Sequence, residues 1–283
     1  MIEKYYNGVI EQVAGGIGNV EHNSILVRYS NDFSIWDLES VNHYKDQTDI
    51  FFTCHEFSYN KIAEAYEPYL GLIRQMFHKY CSGTLEEFME ECDVYKLQRP
   101  VFESYFEKGF CERTEQILID EVEYEQERMH SSIVTMLQKL SEICPIVIVL
   151  NRFQLASKST MQLTNRLLQT KNKNIGIVLG VNDVQSIPEF AHEEWDAICE
   201  SMDDRNMVYH IGNAGRNMEP DVMDYYSDYE SDDGYRKLNN LVYFLDFDQA
   251  DHHLSKIERR IKFDNFTISE KKHYQLLLLQ IMV

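Results

Sequence analysis

Helix-like and strand-like patterns alternate along the first part of this chain. Apolar residues at positions 2, 5, 6, 9, 10 and 13 have helical spacing and predict a helix over residues 1–14. A glycine cluster, GGIGN (15–19), ends this helix, and SILVRY (24–29) has the apolar character of a strand. We do not expect GGIGN to be a phosphate loop, because such a loop follows a strand and opens a helix.

The segment after SILVRY predicts a helix and then a second strand. Ser30, Asn31 or Asp32 is expected to cap the helix, whose apolar positions are 33, 35, 36, 38 and 41. The second strand is DIFFTCHEF (49–57). A strand, a helix and a strand of these lengths predict a right-handed βαβ unit with parallel strands.

A mainly helical insertion, predicted from about 60 to 140, separates this unit from a central strand. CPIVIVLNRF (144–153) contains five consecutive apolar residues, which indicate burial on both faces of a parallel sheet. A helix is predicted next, with Ser157 or Ser159 as its cap, and NIGIVLGVND (174–183) is predicted as another buried strand.

Two further strands are predicted at MVYHIGN (207–213) and LVYFLDF (241–247). The expected fold is therefore α/β, a doubly wound and mainly parallel sheet of about five strands with a helical insertion. Such sheets bind ligands at the carboxyl ends of their strands. In this chain those ends are expected at Tyr29, Asn151 and Asn182.

Composition and charge pattern predict an acidic segment and a domain boundary in the last third of the chain. The segment 217–234 holds seven acidic residues and three tyrosines, which predicts a solvated acidic loop or a docking segment for a basic partner. Residues 1–247 are expected to form one α/β domain. A helical segment over 248–283 is expected to begin a following domain, because its apolar end, LLLLQIMV, would pack on residues further along.

The net charge and the cysteines limit the classes of partner and the cellular compartment that we expect. The chain carries 47 acidic and 27 basic residues, a formal charge of −20, which would repel both nucleic-acid phosphates and an anionic membrane surface. Six widely spaced cysteines lack the short spacings of zinc sites and are expected to be reduced thiols. We therefore expect a cytoplasmic protein with no nucleic-acid or membrane partner.

Three segments resemble the ATPase domain of STAND signalling proteins, an AAA-like P-loop module of large bacterial regulators, over roughly residues 1–265. In FTCHEFSYNKIAEAYEPYL the resemblance lies at Cys54, Glu56, Tyr66 and Pro68. CPIVIVLNRFQLAS resembles the Walker B strand and its continuation, with matches at residues 154 and 156. NIGIVLGVND resembles the strand that carries sensor 1, with Asn182 or Asp183 at its polar end, and LVYFLDFDQADHHLSKI resembles the segment that closes the core.

The chain departs from this family where the family's chemistry resides. Active members have Gly-x-x-x-x-Gly-Lys-Ser/Thr after the first strand, whereas this chain has SNDFSIW. A phosphate loop needs glycines, a lysine and a hydroxyl for magnesium. The corresponding positions here, Ser30, Asn31, Asp32, Phe33 and Ser34, include no glycine or lysine, and the aspartate would repel phosphate.

The Walker B acids are replaced as well. Asn151 and Arg152 occupy their positions, so both the magnesium ligand and the acid that activates water are missing. Phosphoryl transfer depends on positioning and charge neutralisation, and these losses predict that it is abolished. ATP and magnesium are therefore not expected as cofactors, and no catalytic or metal-binding residue is assigned.

The resemblance implies a non-catalytic regulatory and interaction module in the N-terminal part of a larger bacterial signalling protein. Its partners would be other proteins or domains, and the output a transcription regulator or diguanylate cyclase. Two alternatives stay open: a nucleotide-binding switch or weak ATPase, and an unrelated α/β enzyme. A metal at His252 and His253 is not expected, because adjacent helical residues point in different directions. Cys54 is expected to be a core residue rather than a nucleophile.

Overall fold

The computed structural model describes residues 2–18, 23–30, 34–47, 49–58, 61–109, 122–170, 172–182, 187, 191–203, 208–211 and 232–261. Its five strands are β1 (Ser24–Tyr29), β2 (Phe51–Glu56), β3 (Ile146–Asn151), β4 (Ile175–Asn182) and β5 (Val208–Ile211). Its α-helices are α1 (Ile2–Gly15), α2 (Glu39–Lys45), α3 (Tyr69–Tyr80), α4 (Leu85–Glu91), α5 (Arg99–Lys108), α6 (Val122–Ile143), α7 (Lys158–Gln169), α8 (His192–Asp203), α9 (Asp232–Tyr243) and α10 (Phe247–Ile261). None of these helices is both long and apolar enough to cross a bilayer.

The strands form one sheet in the order β2-β3-β4-β1-β5, and every neighbouring pair is parallel. β1 therefore lies between β4 and β5 and is separated from β2 by two strands. β3 and β4 are buried along their whole length, as their uninterrupted apolar sequences predict for strands covered on both faces. The predicted α/β class and parallel sheet are confirmed.

Helices cover both faces of the sheet, so the fold is doubly wound. Alternate residues of β3 belong to two different cores: Val147 and Val149 pack with α1 and α2, whereas Ile148 and Leu150 pack with α3, α6 and α7. Successive side chains in a strand point to opposite faces, which explains the division. The hydrophobic residues of α8, including Trp195, lie in the larger core.

The predicted strand LVYFLDF (241–247) is wrong. Residues 241–243 end α9, a short turn follows, and Phe247 begins α10. Leu238, Leu241 and Val242 are all buried, at the spacing of one helix face. A short apolar run does not by itself distinguish a buried helix from a buried strand, and here the run is the buried end of a helix.

The predicted helix after β1 is also corrected. Ser34 begins a single 3-10 turn, Ile35–Asp37, and accepts a hydrogen bond from the backbone N–H of Trp36 at 3.3 Å. Leu38 is extended, and α2 begins only at Glu39. Ile35 and Leu38 are buried as the apolar pattern predicts, but Trp36 is 49% exposed. Residues 31–33 lie outside the described part of the chain.

The other predicted elements agree with the structure. The N-terminal helix, the helical region between β2 and β3, and the helix after β3 are present, and Ser157 caps α7 by accepting a hydrogen bond from Thr160 N–H. Of the predicted acidic loop, residues 217–231 lie outside the described residues, and 232–234 begin α9. The C-terminal helical prediction is described only as far as Ile261.

Candidate functional site

The connections of the sheet diverge at the carboxyl ends of β1 and β4. The chain leaves β1 toward α2 on one face of the sheet and leaves β4 toward α8 on the other. Strands whose connections diverge in this way form a topological switch point, where doubly wound folds bind their ligands. Tyr29 and Asn182 are paired in register at these two ends. This edge of the sheet is therefore the candidate site.

Side chains from four elements meet on the α1/α2 face of this edge. We call them the carboxyl-edge cluster, and its members are Tyr6, Tyr29, Glu56, Asn151 and Arg152. The Tyr29 hydroxyl donates to Asn151 Oδ1 at 2.7 Å, and the Asn151 amide donates to Glu56 Oε1 at 3.5 Å. Arg152 forms an ion pair with the same carboxylate oxygen at 3.4 Å. Both Tyr29 and Asn151 are completely buried.

Tyr6 brings α1 into the cluster across a glycine. Its hydroxyl lies above Gly180 in β4, and a Cβ at this glycine would lie 2.5 Å from Asn151 Oδ1 and nearer still to the Tyr6 hydroxyl oxygen. The tyrosine is completely buried and makes an edge contact with the ring of Tyr29. Glycine at position 180 therefore leaves room for the Tyr6 hydroxyl and the Asn151 side-chain oxygen at the edge of the sheet.

The electrostatics of the cluster keep Tyr6 neutral. Burial, and then the neighbouring Tyr29, Glu56 and Cys54, raise the pKa of its phenol well above the ordinary value. Asn151 is neutral by nature, and the positive Arg152 is paired with Glu56. The buried cluster thus contains neutral phenols, an amide and an internally compensated ion pair.

The predicted vestigial positions are only partly brought together. Asn151 and Arg152 lie in the carboxyl-edge cluster, and Arg152 has a left-handed backbone with φ of 53°. Asn182 is buried at the end of β4, where its backbone N–H and C=O both bond Gln154 at 3.4 Å. Ser30 follows β1 directly and Ser34 caps the 3-10 turn. Asn31, Asp32 and Phe33 lie outside the described residues.

The described backbone from Ser34 to α2 differs from what a phosphate site uses. Helix N-termini bind phosphate through converging N–H groups at the start of the helix that follows the strand. Here an isolated 3-10 turn and the extended Leu38 lie between Ser34 and the seven-residue α2. The described part of GGIGN, residues 15–18, lies at the opposite edge of the sheet, because Gly18 N–H bonds the carbonyl of Lys173, just before β4 begins.

The other candidate chemistries of the sequence gain no support from the geometry. No group of three or more potential metal ligands occurs among the residues that the structure describes, and His253 is buried while His252 is partly exposed. Burial raises the pKa of the Cys54 thiol to about 11, so the thiol stays protonated at neutral pH. A protonated thiol is a poor nucleophile.

Tyr6 is the member of the cluster that the sequence does not reveal. It is one of several apolar positions in the first helix, and 145 residues separate it from Asn151. Gly176 and Gly180 within β4 provide the indirect signal, because glycine inside a strand marks the close approach of another chain segment. A Cβ at Gly176 would meet Val13 Cγ1 at 2.6 Å, again from α1.

Comparison with known proteins adds no assignment. A scan of protein-family models and a search of curated proteins both found no match to this chain.

Proposed function

We propose that this chain is a non-catalytic, P-loop NTPase-like module of the STAND type that regulates a larger bacterial signalling protein through protein contacts. The single observation that carries the proposal is the carboxyl-edge cluster. At the switch point, where such a fold would hold its nucleotide, the chain places its own buried Tyr6, Tyr29 and Asn151.

The replaced charges support the same proposal. A metal–triphosphate site needs an acid at the end of its central strand and a lysine in the loop after its first strand. The central strand here ends in Asn151, whose amide bonds Tyr29 and Glu56. Arg152, which follows this strand directly, is paired with Glu56. Binding magnesium and phosphates would require this network to be broken.

The core beneath the cluster is retained and well packed, which supports a role in protein contacts. The buried strands β3 and β4 show no polar interruption before their last residues. A scaffold of this kind can keep its surfaces for partners after its chemistry is lost. Other domains of the same polypeptide, or separate signalling proteins, are the partners that we propose.

Nucleotide titration with thermal unfolding tests the proposal directly. A ligand at one hundred times its Kd would stabilise the native state by about 2.7 kcal/mol. We expect no shift in Tm with ATP, ADP, GTP or cyclic dinucleotides, with or without Mg²⁺. A Tm that rises with one of them would favour the nucleotide switch instead.

Hydrolysis is measured on the same samples. We expect no Mg²⁺-dependent release of phosphate from ATP. Hydrolysis that is present in the wild-type chain and lost in Asn151→Ala or Ser34→Ala would contradict the proposal. The control is Thr84→Ala, which alters an exposed helix cap on α4, outside the candidate site.

A further inference from the structure

α9 and α10 form a helical hairpin that packs on the main core. Leu238 and Leu241 of α9, Phe244 of the turn, and Ala250 and Leu254 of α10 are almost fully buried there. The turn between the helices, residues 244–246, lies against the start of α7. The hairpin is thus attached to the helix that directly follows the β3 edge of the candidate site.

The hairpin supplies hydrogen-bond acceptors to the N-terminus of α7. The first N–H groups of a helix have no partner within the helix. Ser159 N–H donates to Asp246 Oδ2 at 2.9 Å, and Lys158 N–H donates to Gln249 Oε1 at 3.2 Å. The third, Thr160 N–H, is accepted by the α7 cap residue Ser157. Two of these three N–H groups therefore depend on the hairpin being in place.

A second set of polar contacts ties the hairpin to the segment before α3. Arg236 and Asn240 of α9 both donate to the carboxylate of Glu64, at 3.3 and 3.0 Å. Gln249 of α10 donates to the carbonyl oxygen of Ala63 at 3.0 Å. The hairpin is therefore held by directional hydrogen bonds as well as by its apolar side.

Asp246 is the most enclosed acid of this contact. Its residue is only 3% exposed, and Oδ1 has no hydrogen-bond partner among the residues that the structure describes. The charged groups that face it are Lys158 on α7 and Asp248 on α10. Burial raises the pKa of this carboxyl to about 6, against the hydrogen bonds from Ser159 and the charge of Lys158, which lower it. A bare, buried carboxylate oxygen is better accommodated when it is protonated.

We propose that the α9–α10 hairpin is a proton-linked clasp, which docks more tightly on the N-terminus of α7 when Asp246 carries a proton and loosens when Asp246 is ionised. The sign follows from linkage: the docked hairpin holds the proton more strongly than the undocked hairpin, so docking weakens as pH rises through about 6. The clasp does not depend on whether the candidate site binds a nucleotide.

The clasp would couple the edge of the candidate site to α10. A 3-10 turn, Phe153–Leu155, and three further residues connect the end of β3 to the start of α7. Loosening of the hairpin would remove the acceptors of Lys158 and Ser159 N–H and alter the start of α7. The position of α10 would in this way depend on whether the Asp246 carboxyl is protonated.

Hydrogen exchange of the full chain tests the clasp. Amide protection of α10 is measured at pH 5.0 and pH 7.5, corrected for intrinsic exchange, and compared with protection of β3 amides, which report global unfolding. With the carboxyl at its ordinary value when undocked, α10 protection should be about tenfold greater at pH 5.0. Equal α10 protection at the two pH values, or an equal change in β3, would overturn the proposal.

Three variants make the test specific to Asp246. Asp246→Asn should abolish the pH dependence of α10 protection, whereas Asp248→Asn, which alters an exposed neighbouring carboxyl on the same helix, should keep it. Gln249→Ala should lower protection at both pH values and keep their ratio, because it removes acceptor and donor groups but leaves Asp246 in place. A tenfold ratio that persists in Asp246→Asn would refute the role of this carboxyl.

Discussion

Replacing Gly180 by alanine tests how closely α1 approaches the edge of the sheet. The new Cβ would lie 2.5 Å from Asn151 Oδ1, closer still to the Tyr6 hydroxyl oxygen, and 3.1 Å from Tyr6 Cζ. These distances require side chains that are completely buried to move. Overpacking of this kind costs about 1–3 kcal/mol, which exceeds the gain of about 0.4–1 kcal/mol from a stiffer unfolded chain. We expect Gly180→Ala to lower the free energy of unfolding by about 2 kcal/mol.

A double-mutant cycle assigns this cost to the hydroxyl of Tyr6. Tyr6→Phe removes the nearest atom and leaves the ring, so the double variant should be about 1 kcal/mol more stable than the sum of the single changes predicts. Urea unfolding followed by circular dichroism measures all four proteins, with an unchanged m-value as the sign of unchanged compactness. Full relief is not expected, because Asn151 Oδ1 remains.

Gly71→Ala is the matched control. Gly71 lies in α3, and a Cβ there would meet no atom within 4 Å. Alanine should therefore stabilise the helix by up to about 1 kcal/mol. Additivity of Tyr6→Phe and Gly180→Ala within about 0.5 kcal/mol would refute the placement of the Tyr6 hydroxyl above this glycine, and so the composition of the carboxyl-edge cluster.

Three further predictions concern buried polar groups, each measured by urea unfolding. Asn151→Asp should destabilise the chain by about 3 kcal/mol at pH 8 and by less at pH 5, because it buries a second carboxylate beside Glu56; a pH-independent effect would contradict this. Ser157→Ala should cost about 1 kcal/mol by removing the α7 cap, and no loss would argue against the cap. Burial lowers the pKa of His130 to about 4. As pH falls, the imidazole is therefore protonated in the unfolded chain before it is protonated in the folded chain, and the free energy of unfolding drops by about 2 kcal/mol from pH 7.5 to 5. His130→Gln should remove this part of the pH dependence.

Much of the sheet could be predicted from the sequence because its central strands are continuous apolar runs. β3 and β4 lie within the segments predicted for them, and parallel pairing follows from the helices between them. The order of the strands could not be predicted. Nothing in SILVRY indicates that β1 pairs with β4 and β5, because pairing partners depend on tertiary packing rather than on local pattern.

The sequence predicts where the candidate site lies, but not all of the side chains that form it. Parallel strands bring their carboxyl ends to one edge, so Tyr29, Asn151 and Asn182 were expected there. The contribution of Tyr6 depends on how α1 packs across Gly180, which the helical pattern of residues 1–14 does not specify. The sequence does not reveal Asp246 for a different reason. The pattern of residues 241–247 predicts a strand, whereas the role of this carboxyl depends on a turn between two helices.

The position of β1 between β4 and β5 sets a constraint on how the chain can fold. β1 is made before the other strands, but Ser24 pairs with Ile177, 153 residues later, and Leu26 pairs with Val208, 182 residues later. During synthesis both edges of β1 stay unpaired until β4 and β5 have been made. Helix α1 likewise cannot pack over Gly176 and Gly180 until β4 has been made. Such non-local pairing slows folding and exposes strand edges to aggregation. Fragments that stop before β4 should therefore be insoluble, even though they contain β1, β2 and most of the helices of the larger core.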